Sequence, residues 1–319
     1  MLQTPPSAET AAAEAGHAAA EAAAEGFNAG ETIIEHVANS SLEHPLIHLP
    51  KVFGIDMSVT KHVFMLWLVA GIVFLGITWV VRRYLKQDRL VPTGFMSVVE
   101  LAVEFIRDTI VEPNVGHKWV LTWSPLLLTL FVFIFCANLI GIIPVFDVLQ
   151  LLNHSVLHAS ADSFFGKLLH GGTTATGNFN VTAALASIVF FAIIVAGSRA
   201  HGFIKHWKNM VPHGLPFLIY FLLIPIEVMG MFVRPFALTM RLAANMTGGH
   251  IAILSILSFV FIFSQLAGQA IVGIGVGAVL SVPLAVGLSA LELVVILVQA
   301  YVFTLLTAVF IGMAIHAHH

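Results

Sequence analysis

Residues 221–250 read FLLIPIEVMGMFVRPFALTMRLAANMTGGH. They belong to a stretch from Gly214 to Ile315 with four formal charges, Glu227, Arg234, Arg241 and Glu292, and one histidine, His250. Apolar runs this long and this poor in charge are membrane segments, and an ionisable group within one costs a few kcal/mol at least, which makes it a functional candidate by default. Arg241 is the extreme case, because a guanidinium cannot escape the penalty by losing its proton. No acidic residue lies one helical turn away from it, so its counter-charge has to come from a distant segment or from a partner chain.

The rest of the chain agrees with a membrane reading. Of 319 residues 58% are hydrophobic and 10% charged, against about 25% charged in a soluble domain. A net charge of −3 excludes a nucleic-acid surface. The single cysteine, Cys136, allows no internal disulfide and no cysteine-built metal cluster, and reads as a packing residue. Residues 1–40 are rich in Ala and Glu and have no Lys or Arg. That is neither a signal peptide nor a transit peptide, and a disordered or marginally helical tail is expected there.

Residues 41–319 are expected to form one all-α, polytopic membrane domain. Its first span is 63–81, closed by Arg82, Arg83, Lys86 and Arg89. The positive-inside rule then puts 82–118 in the cytoplasm and the N-terminus outside. Residues 96–111 repeat apolar positions at helical spacing and predict an amphipathic surface helix, stopped by Pro113. A second span at 120–145 leads to an external loop, 146–179, with His154, His158 and His170. The first two could hold a metal on one helix face, but no third ligand is apparent and a solvated loop is the simpler account. A third span, 181–197, returns to Arg199, Lys205 and Lys208. Two long segments follow, 217–270 and 283–315, joined by a turn region with Gly268, Gly273, Gly275 and Gly277, and with Pro225 and Pro235 as expected kink sites.

On a helix, Glu227, Arg234 and Arg241 stay within ~40° of one another, with Asn245 one turn further along the same stripe. His250 falls on the opposite side from Arg241. Ser289, Glu292 and Gln299 share a face of the last segment. A hairpin of the two segments could bring Glu292 near His250, and Gln299 near Arg241 and Asn245, as a polar file with one fixed cation. Other readings stay open: Glu227 and Arg234 as an internal ion pair that fixes packing, Arg234 snorkelling to the interface, Asn245 and Gln299 as interhelical glue, and His250 with Glu292 as a buried pair or a proton relay.

The string MRLAANMTGGH, 240–250, resembles the arginine motif of subunit a of the F-type ATP synthase family. NLIGIIP at 138–144, GNFNVT at 177–182 and LVQAYVFTLL at 297–306 extend the likeness over roughly residues 30–315. The resemblance implies that the two long helices form a steeply tilted hairpin around the rotor ring of c subunits. It implies that Arg241 is the family's essential arginine, facing the ion-carrying carboxylate of each passing c subunit. Glu227, Asn245, His250, Glu292 and Gln299 match positions lining two aqueous half-channels, with histidine and acid in the order of mitochondrial-type members. Asn178 stands where some relatives have an acid, and Asp56 lies near the external entrance; Arg234 and Ser289 complete the candidate set. The implied partners are the c-ring, peripheral-stalk b subunits, the remainder of the complex, the lipid bilayer and the transported proton, in a bacterial inner membrane, with no cofactor, no metal and no nucleic acid. No nucleotide-cradling GxxxxGK[ST] loop occurs, so the chain is expected to have no catalytic centre of its own. A secondary transporter with an intramembrane arginine is the alternative, although the inverted repeats it would need are not evident.

Overall fold

Lipid offers no hydrogen bonds, so a chain crossing it must satisfy its backbone internally, and a helix does this within one segment. The computed structural model describes residues 30, 34, 47, 49–50, 58–87, 91–142, 175–208, 217–266 and 270–316, and among these the apolar runs are all helical. Helix α1 is Lys61–Leu85, α4 Val120–Ile142 and α5 Phe179–His201. Two much longer helices follow: α7, Phe217–Leu266, with 50 residues, and α8, Ala270–Ile315, with 46. Among the described residues five helices are long and apolar enough to cross a membrane. At 1.5 Å per residue the contour of α7 is about 75 Å, more than twice a hydrocarbon core of about 30 Å. The Ala/Glu tail, apart from Gly30 and Ile34, lies outside the described residues, as do Asp56, His154, His158 and His170.

The expected surface helix is present, but it ends differently. Helix α2, Phe95–Glu104, runs into a π-helical turn, Phe105–Val111, and then a short helix α3, Glu112–Val115. The π turn gives the Glu112 N–H to the Arg107 carbonyl, five residues back. The register has therefore shifted before Pro113, which has no N–H, arrives in the first turn of α3, where a proline is tolerated. The stop is Gly116, in the left-handed region at φ 81°.

The expected Gly-rich turn is also corrected. Gly273, Gly275 and Gly277 lie inside α8. A Cβ on Gly277 would sit 2.7 Å from the Val260 Cα and 3.2 Å from its carbonyl oxygen. Glycine serves there to let two helix backbones approach, not to turn the chain. Pro225 and Pro235 are both accommodated within the continuous α7.

The chain divides into two compact units: residues 39–249 with 290–319, and residues 1–38 with 250–289. The larger unit holds the core. Leu238, Leu242 and Met246 of α7 recur every fourth residue and are fully buried together with Ile296, Ala300, Phe303 and Ile311 of α8, Leu127 and Ile134 of α4, and Val189 and Ala196 of α5. Ile106, Ile110 and Val111 bring the π-helical turn into the same core.

Two ends of this unit can be told apart by contacts. At one, Thr176, in the turn that precedes α5, donates a hydrogen bond from its hydroxyl to the side-chain Oδ1 of Asn138 near the end of α4. At the other, the His201 imidazole meets the Ile315 carbonyl oxygen at 2.9 Å, and α8 closes on α3: a Cβ on Gly312 would stand 2.1 Å from the Asn114 carbonyl oxygen.

That last contact is backbone against backbone and cannot relax by a rotamer change. Gly312→Ala should therefore destabilise the protein by about 1–3 kcal/mol, the usual cost of overpacking. Gly71→Ala, where nothing lies within 4 Å of the added methyl, should be neutral or stabilising by up to about 1 kcal/mol. Thermal unfolding of the detergent-solubilised protein compares the two; equal effects would mean that α8 does not close on Asn114 in this way.

Candidate functional site

The polar stripe of α7 runs along the edge of its buried seam. At 100° per residue, Leu238, Leu242 and Met246 lie 60–140° round from Arg241, while Arg234, Glu227 and Asn245 lie within about 40° of it. Packing thus buries the leucine and methionine positions and leaves Arg241 exposed at their margin. Among the described residues Arg241 has no acidic group within 4.0 Å.

Arg234 is placed differently. Its guanidinium lies 3.8 Å from Glu227 Oε1, with both side chains about one-third exposed. It also stands 5.6 Å from the centre of the Phe310 ring. These contacts hold Arg234 against the protein, as the ion-pair reading requires, and leave Arg241 as the open cation of the stripe within the described residues.

Asn245 crosses to the last helix, and its Nδ2 donates to Gln299 Oε1 at 2.9 Å. Gln299 is buried, and its Nε2 has no hydrogen-bond partner among the described residues. A buried amide donor left open in this way is a natural seat for a water molecule or a passing polar group.

Two turns before Gln299, Glu292 is 4% exposed. Its carboxylate lies against Gly249: a Cβ there would be 2.6 Å from Oε1 and 3.0 Å from Cδ. Glycine at 249 leaves room for the acid. His250 and Ser289 belong to the smaller unit. His250 is half-buried, and the Ser289 hydroxyl donates to the Ala285 carbonyl of its own helix at 2.9 Å.

Asn178 acts as the N-cap of α5, its side-chain oxygen accepting the Asn180 N–H at 2.8 Å. A cap satisfies one of the open N–H groups at a helix start, which gives this side chain a structural task. Asp56 lies outside the described residues.

Residues of the motif strings outside the candidate set also take part in the packing. Asn138 is wholly buried in α4, where it accepts from Thr176. Thr247 donates to the Gly177 carbonyl oxygen at 3.3 Å. Hydrogen bonds therefore join the segments at Asn138, Thr176–Gly177 and Thr247 at one end of the larger unit. The available signal was a lone Asn within an otherwise apolar run, a costly placement unless it has partners.

The arrangement offers a fixed cation on an open edge, a half-buried amide bridge one turn away and a buried acid on the facing helix. These are the parts for holding an anion outside the chain and for passing protons along a polar file.

Residues 63–312 match the profile of the ATP synthase A chain family. The chain is similar to ATP synthase subunit a 2 of Chlorobium luteolum, 39% identical over 318 residues, which cover 97% of this chain and 81% of that one. It is 37% identical over 325 residues to ATP synthase subunit a of Pelodictyon phaeoclathratiforme, covering 98% and 85%. The figure for ATP synthase subunit a of Chloroherpeton thalassium is 38% over 281 residues, covering 86% and 72%.

Because Asn245 and Gln299 share a hydrogen bond, Asn245→Ala and Gln299→Ala should not act independently. A double-mutant cycle on thermal unfolding in detergent should show a coupling of about 0.6 kcal/mol, and no more than about 1.7. Strictly additive losses would mean that the two side chains do not meet.

Proposed function

We propose that this chain, which belongs to the ATP synthase A chain family, is the stator subunit of the membrane sector of an F-type ATP synthase, with Arg241 as the charge that separates two proton half-channels. The observation that carries the reading is Arg241 itself: an exposed, permanent cation at the margin of a packed helix seam, with no acidic neighbour within 4.0 Å among the described residues. Such a charge calls for an anion on a partner surface, and the ion-carrying carboxylate of a c-subunit ring would meet that need. The transporter alternative gains nothing from the relatives.

In this reading a proton enters one half-channel and neutralises a c-subunit carboxylate. Only the neutral site can turn into lipid, because a charged one would face a penalty of several kcal/mol. After the ring has turned, the proton leaves through the second half-channel. The bare carboxylate is then drawn to Arg241, whose fixed charge also repels a proton moving directly between the channels. Lysine would serve less well, since it can shed its proton when desolvated. One charge crossing 100 mV releases about 2.3 kcal/mol, so several protons are needed for each ATP.

The remaining residues take supporting parts. Glu292, buried against Gly249, and His250 are the titratable steps of the file. Asn245 and Gln299 hold water beside Arg241 through their bridge and the open Nε2. Glu227 lines the same path and restrains Arg234; Ser289, Asp56 and Asn178 take lesser places. The b subunits of a peripheral stalk would hold the stator still. The chain has no catalytic centre of its own, and it sits as a multi-pass protein in a bacterial inner membrane with its N-terminus outside.

The test is proton flux in vesicles carrying the intact complex. Arg241→Ala should abolish ATP-driven acidification and ATP synthesis while passive proton leak stays the same or rises. Coupled pumping that survives in a fully assembled variant would remove Arg241 from the mechanism.

A second prediction concerns the acid. Gly249→Ala puts a methyl where the Glu292 carboxylate lies, and a flexible carboxylate yields by turning away. We expect proton-driven synthesis to fall about tenfold, equivalent to about 1.4 kcal/mol, with little loss of assembly. Gly248→Ala, with nothing within 4 Å, should stay close to wild type. Equal rates in the two variants would show that the position of Glu292 does not matter.

A further inference from the structure

Helix α6, Phe203–Lys208, has the sequence FIKHWK and follows the end of α5 directly. The break between them is Gly202, at φ 88°, a conformation that disfavours any residue with a Cβ. The turn folds α6 back on α5, and one side chain seats it. The His206 ring lies where a Cβ on Gly197 would be, 2.1 Å from its Cε1 and Nδ1. His206 is buried; that burial, with His201 nearby, holds its imidazole below the ordinary histidine range. It docks as a neutral group.

With His206 fixed against α5, the other faces of the short helix are set by geometry. At 100° per residue, Phe203, Trp207 and Ile204 span one arc of about 100°, and Lys205 lies a further 100° round. All four are exposed, Phe203 at 64% and Ile204 at 72%. The Phe203 and Trp207 rings pack edge to face, 6.4 Å apart. Arg199, on the last turn of α5, is exposed as well. The helix therefore has three sectors: one docked on the protein, one apolar and aromatic, and one basic.

Two other segments of the larger unit carry the same chemistry at the same end. The start of α5 is bonded to the end of α4, so the start of α4 and the end of α5 lie at the opposite end. Helix α1 contacts the turn that precedes α5, and its buried residues, Lys61, His62, Met65 and Val69, all fall in its first half, so α1 finishes at the opposite end as well. Near the end of α1, Arg83 stands 5.3 Å from the centre of the Trp79 ring. Before α4, Lys118 stands 5.5 Å from that of Trp119. Tryptophan beside a cation at the ends of two spans, with Trp207 of α6 at the same end, marks the level where acyl chains meet headgroups.

We propose that α6 lies in the headgroup layer at this basic end, with Phe203, Ile204 and Trp207 in the acyl boundary and Arg199 and Lys205 on the phosphates of anionic phospholipid. The occupant is lipid rather than a protein groove because the apolar arc begins where a span ends, and because its flank is basic, which complements a phosphate surface. Each Lys or Arg near an anionic surface strengthens binding about fivefold, and His206 keeps the helix in register without adding charge.

The test uses the intact complex in phosphatidylcholine vesicles containing a minor fraction of phosphatidylglycerol, with bromine on the acyl chains of one lipid or the other. The difference in tryptophan fluorescence between wild type and Trp207→Phe isolates the contribution of Trp207. Brominated phosphatidylglycerol should quench that contribution up to about 25-fold more, per molecule, than brominated phosphatidylcholine, about fivefold for each of the two charges, and raised salt should erode the preference. Arg199→Gln and Lys205→Gln should each lower the preference about fivefold while quenching by phosphatidylcholine remains. The salt titration on wild type decides the matter even if a variant fails to assemble. No quenching by either lipid would mean that another protein covers the helix, and equal, salt-independent quenching would leave only apolar insertion. Either result overturns the proposal, as does a preference that survives loss of both charges.

Discussion

A guanidinium keeps its charge wherever it is put, so a helix that carries one through an apolar layer must expose it to water, a polar partner or a counter-ion. Around Arg241 the packing meets this demand by offset. The seam formed by Leu238, Leu242 and Met246 is centred about 100° away from the arginine direction. The helix can then be gripped by α4, α5 and α8 without covering its charge. A seam shifted by one residue would have pulled Arg241 into the core or turned Leu242 out of it. The second arginine shows the other solution, since Arg234 is held by Glu227 and the Phe310 ring. Two cations seven residues apart on one helix thus have different work.

Small residues set the rest of the architecture, and each for a contact rather than for flexibility. Gly249 admits a carboxylate, Gly312 a carbonyl, Gly197 an imidazole and Gly277 a helix backbone. Among helices in lipid the hydrophobic effect gives no net pull, so close approach and hydrogen bonds carry the association. This accounts for glycines at buried contacts within regular helices, where they cost about 1 kcal/mol relative to alanine.

That division also explains what could be read from the residues alone. The five apolar helices and the shared face of Glu227, Arg234 and Arg241 follow from hydropathy and the 100° step, which are local properties. The meeting of Asn245 with Gln299 was accessible once a hairpin was assumed. The Gly-rich turn was misread because glycine is a turn signal in water and a packing residue between membrane helices; Gly277 is the second kind. Pro113 was misread because a proline stop assumes an unbroken α-helical register, which the π turn at 105–111 had already shifted. Asn138 and Thr176 sit 38 residues apart, and no periodicity links them. The seating of His206 on Gly197 depends on a left-handed glycine whose fold-back the sequence does not announce.

The two ends of the larger unit have different chemistry, and the difference follows from what each must bind. The end near Asn138, Thr176, Asn178 and Thr247 is joined by neutral hydrogen bonds and a helix cap. The opposite end has Arg83, Lys118 and Arg199 on exposed positions beside or near aromatic rings. A surface of that kind anchors helices against movement along the membrane normal. A stator needs this restraint: in the proposed mechanism, the charge on Arg241 would be useful only while it stays at the height of the c-subunit carboxylates. A shift of one helical turn is 5.4 Å, greater than the reach of a close ion pair. The aromatic and basic anchors, with α6 folded back over Gly202, would set that height, and the seam of Leu238, Leu242 and Met246 would carry it inward to the arginine.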